Sequence, residues 1–309
     1  RDMKRALIIL LAIPWLALTQ ASAGEIARIK AKGEIVISVN KGYPPFCVVG
    51  EDDIFGLDVD LARLIAAHLA VKARFVMPDL FKDQIPRLLA GESDIIIAAM
   101  TRTVERGLQV AFTDPYFEVS QAALVEKEMV APGASSYFEL VDIPDIRIGV
   151  KADTTIENFA RELFPAEAIK TFPDHPEAVA ALVKGEVDAT VHDSPFVQIW
   201  SRTHPEMSAR IKPLLAPVTR EHYGFAVRKG DPDFLGWLNL FISQVKNDGT
   251  MDLLEYRYFV DMQWAGLKPT REARVTRAQL LRNKFVARKQ ALLEQKRTEE
   301  KLRSGDAYD

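Results

Sequence analysis

Two hydrophobic periods take turns along this chain. Residues 34–40 (EIVISVN) alternate and β-branch in the manner of a strand. Behind Gly56, the apolar positions Leu57, Leu61, Leu64, Ile65 and Leu69 recur at helical spacing. Residues 71–77 then read as a strand and 81–90 as a helix. Residues 94–100 (DIIIAAM) form a short apolar run closed by polar neighbours, the pattern of a strand covered on both faces. The alternation continues with a strand over 146–150, a helix over 156–163 capped by Thr154 or Thr155, a helix over 176–184 and a strand over 186–191. It closes with a strand over 223–229, a helix over 231–245 and a terminal helix over 250–259. The 231–245 helix starts at Pro232 and turns Trp237, Leu238, Phe241 and Ile242 inward. The prediction is an α/β fold.

The two ends break this rhythm. Residues 1–23 read as a secretory signal peptide. Lys4 and Arg5 precede an apolar core over residues 6–18, and Ala21, Ser22 and Ala23 offer a small-residue cleavage site before Gly24. The core is shorter than the roughly 20 residues of a membrane span. Residues 270–309 are rich in Gln, Arg and Lys, with Leu280, Leu281, Phe285, Leu292 and Leu293 as apolar anchors. They read as a basic helical tail whose spacing is too irregular for a long coiled coil.

Composition narrows the function. A length of 309 residues suggests two domains or lobes. The single Cys47 excludes an internal disulfide and any CxxC redox or zinc site. The tail holds eleven Lys+Arg against six Asp+Glu, a net of +5, so the rest of the chain carries −8 of the total −3. An acidic body argues against nucleic acid as a partner. With no P-loop, zinc-ligand spacing or GxSxG nucleophile motif, no cofactor, metal ligand or catalytic residue is assigned.

In open α/β sheets, ligands sit beyond the carboxyl ends of strands. The run 94–100 leads straight into Thr101, Arg102, Thr103, Val104, Glu105 and Arg106. Thr101 and Arg106 therefore lie where a small anion is held, and arginine offers a planar fork of donors that matches a carboxylate. Arg102 reads as a solvated loop charge. Thr155 stands at a helix start whose amides suit a carboxylate. The strand 186–191 runs into His192 and Asp193, and Asp193 is a natural partner for an ammonium group. Neighbouring strand residues face opposite ways, so His192 and Asp193 do not form a dyad. Asp58 and Asp60 read as first-turn charges that suit the helix dipole, not as metal ligands.

Several of these stretches resemble one family. They are AAMTRTVERGLQVAFTDPYF (98–117), the turn KGYPPF (41–46), GLDVDLA (56–62) and NDGTMDLLEYRY (247–258). Over about residues 34–268 the chain is similar to the bacterial periplasmic amino-acid-binding proteins that feed ABC transporters. The resemblance implies a two-lobed periplasmic-binding-protein fold of type II, each lobe a mixed sheet flanked by helices. Lobe 1 would comprise 24–125 plus 220–269, and lobe 2 126–219. Two hinge crossings are expected, near 122–127 and within 210–223. The implied ligand contacts are Asn40, Tyr43, Phe81, Ala99, Thr101, Arg106, Lys151, Thr155, His192 and Asp193. Thr101 and Arg106 would grip an α-carboxylate and Asp193 an α-ammonium. Tyr43 and Phe81 would cover the aliphatic part, and Asn40, Lys151 and His192 would select the far end. The sequence departs from the family at Ala152 and Asp153, where small residues including glycine are usual.

The same resemblance implies a monomer exported to the periplasm that captures an amino acid between closing lobes and delivers it to an inner-membrane permease. Asn40 stands where glutamine-binding and basic-amino-acid-binding relatives carry Asp, which favours a polar neutral or acidic ligand. Two rivals stand beside this reading. A cyclohexadienyl-dehydratase-like enzyme shares the fold, but needs an acid to protonate a leaving hydroxyl, and the sequence shows none in the cleft besides Asp193. A ligand sensor or accessory protein would use the same clamp together with the basic tail.

Overall fold

A computed structural model of the protein describes residues 24–267, 279–282 and Lys284. The expected signal peptide, and the tail apart from those few helical residues, lie outside the described residues. No helix among the described residues is long and apolar enough to cross a membrane.

Two five-stranded mixed sheets organise the chain on the same plan. In the first, Glu34–Ser38 is flanked in parallel by Lys72–Val76 and Ile95–Ile96, and Ala226–Val227 and then Ala111–Phe112 extend it antiparallel. In the second, Ile148–Lys151 is flanked in parallel by Ile169–Phe172 and Ala189–Asp193, and Gln121–Glu126 and then Ile211–Leu214 extend it antiparallel. Helices Glu25–Lys32, Leu57–Leu69 and Pro232–Asn247 bury their apolar sides in the first half, and Thr155–Leu163, His175–Val183 and Ser194–Thr203 in the second. The chain passes between the halves in a two-stranded antiparallel ribbon of Phe117–Val119 and Glu221–Tyr223.

The first strand of the ribbon lies just before the place that the sequence suggests, and the second lies inside the expected 210–223. Residues 122–127, expected to cross, form most of the strand Gln121–Glu126, which is paired on both sides inside the second sheet. Their continuous burial is that of an interior strand. Of the expected second crossing, Ile211–Leu214 likewise belongs to the second sheet, and only Glu221–Tyr223 makes the passage.

Other departures have local causes. The predicted strand 94–100 pairs only over Ile95–Ile96. Beyond it Ala99 takes a left-handed backbone (φ 48°) and gives its N–H to the Asp58 carboxylate at 2.7 Å, which turns the chain out of the sheet. Asp58 stands in the first turn of Leu57–Leu69 as expected, and does more there. It is fully buried and also accepts from the Tyr116 hydroxyl at 2.7 Å. Its burial pushes its carboxyl up to about 7, against the pull of those two donors. Gly56 holds the Pro44–Pro45 turn against the helix start. Its φ is +140°, and a Cβ there would lie 2.1 Å from the Phe46 carbonyl oxygen.

Candidate functional site

The two sheets turn the carboxyl ends of their central strands toward each other. Asn40 follows Glu34–Ser38, Ala99 and Thr101 follow Ile95–Ile96, Lys151 ends Ile148–Lys151 and Asp193 ends Ala189–Asp193. These side chains line one cavity together with Tyr43, Phe81, Arg106, Thr154, Thr155, Ile156 and His175. Its volume is about 20 Å³, room for about one water molecule. A larger open groove of about 620 Å³ runs past Trp200 and Trp264, but its lining is mainly apolar. Nine of the ten residues expected from the sequence therefore share the small cavity, in which charged groups of both signs converge.

The cation side is built on a short helix. Thr103 accepts from the Arg106 N–H and caps Val104–Gly107, so Arg106 projects back over the strand end. Its Nη1 donates to the Thr101 carbonyl at 2.8 Å, and its guanidinium lies 5.4 Å from the Phe81 ring centre. The Lys151 ammonium sits 5.2 Å from the same ring and donates to Asn40 Oδ1 at 3.0 Å across the seam. Phe81 thus carries two cations against its π system. Burial lowers the pKa of both, opposed by the field of nearby carboxylates, and brings Lys151 down to about 8.

Asp193 faces these groups. Its Oδ2 accepts from the Tyr43 hydroxyl at 2.5 Å and from the Tyr223 hydroxyl, while Oδ1 is enclosed without a partner among the described residues. Burial, then the nearby Glu221 charge, push its carboxyl up to about 6, against the two hydroxyls and Arg106. Such an acid is poised to accept a cationic partner.

His192 is the exception among the expected contacts. Strand alternation that points Asp193 into the cavity points His192 behind it. His192 is fully buried, with Nδ1 2.8 Å from Nδ1 of His175 and its ring 4.6 Å from that of Phe196. His175, the first residue of its helix, takes the place on the wall, stacked on Tyr43 at 4.6 Å. A lone histidine at a helix start gives no sequence signal of this.

Glu221 was also missed. From the crossing ribbon its carboxylate accepts from Thr101, Thr155 and Thr219 hydroxyls at 3.2 Å each and from the Gln121 amide at 2.7 Å. The sequence reading that Asp193 is the only acid in the cleft is therefore corrected, because Glu221 lies at the same seam. Its signal was hidden by its place in a stretch that looked like plain return chain.

The sequence matches the family model of bacterial extracellular solute-binding proteins, family 3, over residues 35–261. It is 28% identical over 231 residues to ABC transporter arginine-binding protein 1 of Escherichia coli (strain K12), covering 74% of this chain and 92% of that protein. It is 31% identical over 232 residues to the ABC transporter glutamine-binding protein GlnH of Bacillus subtilis (strain 168), covering 74% and 81%. Among solved structures it is similar to an ancestral amino-acid-binding protein described as a precursor of cyclohexadienyl dehydratase. The TM-score is 0.69 at 35% identity, covering 77% of this chain and 100% of that one.

Proposed function

Because the chain belongs to the bacterial extracellular solute-binding proteins, family 3, whose relatives here are amino-acid-binding proteins of ABC transporters, we propose that its seam cavity captures one free amino acid with a polar neutral or acidic side chain. The observation that carries this reading is the meeting of Arg106 and Asp193, from the two sheet halves, in one cavity. Arg106, with Thr101 and Thr155, receives the α-carboxylate. The unpartnered Oδ1 of Asp193 receives the α-ammonium. Tyr43 and Phe81 flank the stem of the side chain, and Ala99 leaves room beside it. At the far end stand Asn40 and Lys151, bonded to each other. An ammonium group there repels a cationic side chain and attracts an oxygen acceptor.

In this reading the sheets are the cores of two closing lobes that exchange near residues 120 and 220. A buried charge is costly unless paired, so closure is completed by a zwitterion that satisfies both walls. The closed protein is then read by an inner-membrane permease after export to the periplasm. The test is calorimetry of the protein against a panel of L-amino acids, repeated with Arg106→Ala. Loss of a charge-assisted carboxylate bond at a buried site is expected to weaken binding by about a hundredfold with the thermal melt little changed. Binding by arginine or lysine alone would overturn the side-chain preference.

One observation favours a second reading, an enzyme that eliminates water and carbon dioxide together from a cyclohexadienyl acid. Glu221 supplies a carboxyl group at the seam, and the ancestral neighbour is described as a dehydratase precursor. Both oxygens of Glu221 are already taken up by four donors, Thr101, Thr155, Thr219 and Gln121, and the residue does not line the cavity itself, which favours binding over catalysis. Turnover of prephenate, followed optically, separates the two.

A further inference from the structure

Beside the cavity lies a pair of buried histidines to which the capture of an amino acid's two charged groups gives no task. His175 opens the helix His175–Val183, and His192 lies in the strand Ala189–Asp193. Their Nδ1 atoms are 2.8 Å apart, so one ring donates and the other accepts. The residues are 3% and 0% exposed. Burial holds both rings neutral. It pushes His192 down to about 3, and His175 well below the usual histidine range with further help from His192 and Lys151. A neutral imidazole has one N–H. The ring that donates through Nδ1 therefore has a bare Nε2, and the ring that accepts carries its proton on Nε2.

The surroundings choose between the two arrangements. Nε2 of His192 is enclosed with no hydrogen-bond partner among the described residues. An N–H there would be an orphaned buried donor, and such donors are rarer in folded proteins than underused acceptors. Nε2 of His175 is not among the enclosed unpartnered atoms, and its ring lines the cavity beside Lys151. The Tyr43 ring, stacked at 25°, holds that ring in place. We propose that His192 keeps the Nδ1 proton and thereby fixes His175 as an Nε2–H donor aimed at the far end of the ligand's side chain. This rests on reading the cavity as an amino-acid site and narrows it. Lys151 and His175 are both donors, so the favoured ligands end in an acceptor oxygen, a carboxamide or carboxylate. His175 is then a specificity-determining residue, and His192 a positioning residue that acts through it.

The first measurement needs no ligand. In the full chain labelled with 15N-histidine, NMR reads which ring nitrogen of each residue is protonated. Nδ1–H on His192 and Nε2–H on His175 are expected, and the reverse pair overturns the proposal. The second is calorimetry with L-glutamine and with L-norleucine, whose side chain carries no oxygen. His175→Phe is expected to weaken L-glutamine about tenfold, the scale of one lost hydrogen bond, and L-norleucine less than threefold. His192→Leu, at a residue that does not line the cavity and reaches it only through His175, is expected to erode the same ratio. A merely structural role would weaken both ligands alike, so an unchanged ratio overturns the assignment and leaves amino-acid capture standing. Failure of every amino acid to bind the unmodified protein would overturn both.

Discussion

Single side chains here act against their usual surroundings. Asp58 holds a carboxyl group in a fully buried place between a strand end and Tyr116, and it titrates at about 7 instead of the ordinary 3.8. The folded protein thus binds this proton more tightly than the unfolded chain. Its stabilising effect is complete below about pH 3.8 and is lost as pH rises toward about 7. Buried His192, pushed down to about 3 from 6.5, pulls the other way over its own window, so the raw pH profile is mixed. The comparison with Asp58→Asn isolates the effect. Wild-type stability relative to that variant should fall between about pH 4 and 7, by on the order of 4 kcal/mol, and stay level above. Urea denaturation at stepped pH checks this, and a difference that rises with pH would contradict it.

At the scale of elements, two joints place the cavity residues. Gly56 lets the Pro44–Pro45 turn rest against the start of Leu57–Leu69, and so fixes Tyr43 below and Asp58 above. Gly56→Ala adds a Cβ where there is no room, at a φ that L residues avoid. It is expected to destabilise the fold by more than about 3 kcal/mol, seen as a large drop in melting temperature. Thr154 caps Thr155–Leu163 by accepting from the Glu157 N–H, and it also donates to the Lys151 carbonyl at 2.8 Å. Thr154→Ala is expected to cost about 1 kcal/mol in denaturant titration. Most of these elements were legible in the sequence, because helical spacing and β-branched runs report which face is buried. The pattern also located Thr101, Arg106 and Asp193, since strand ends in an α/β fold are where ligands sit. It set the first crossing a few residues late and bounded the second only loosely within 210–223, because Phe117–Val119 and Glu221–Tyr223 are three residues each and gain their identity only by pairing with each other. It missed His175 and Glu221 for a related reason. His175 joins the cavity wall, and Glu221 the groove beside it, through neighbours distant in the chain.

Seen whole, the molecule closes its seam with its own groups. Asn40 meets Lys151, Tyr43 meets Asp193 and Thr155 meets Glu221, and at the rim Lys82 lies 3.5 Å from Asp153. The last pair is half-exposed and contributes little. A cavity of about 20 Å³ admits an amino acid only after the walls part. Association should therefore be limited by opening, and the observed binding rate should level off as ligand concentration rises. Stopped-flow fluorescence reads this, and a rate that climbs linearly to the highest concentrations would show a seam that stands apart in solution.

The bond between Lys151 and Asn40 has a consequence for how such a protein tells amino acids apart. If Lys151 and Asn40 face the ligand as proposed, capture becomes a substitution of partners: each polar group gives up one neighbour and acquires another. The right side chain gains only modestly from that trade. The wrong one fails because it evicts Asn40 and then offers nothing in return, stranding an ammonium in a dry interior. Selectivity would then be mostly refusal, and it would be lost first by changes that let water reach the lysine.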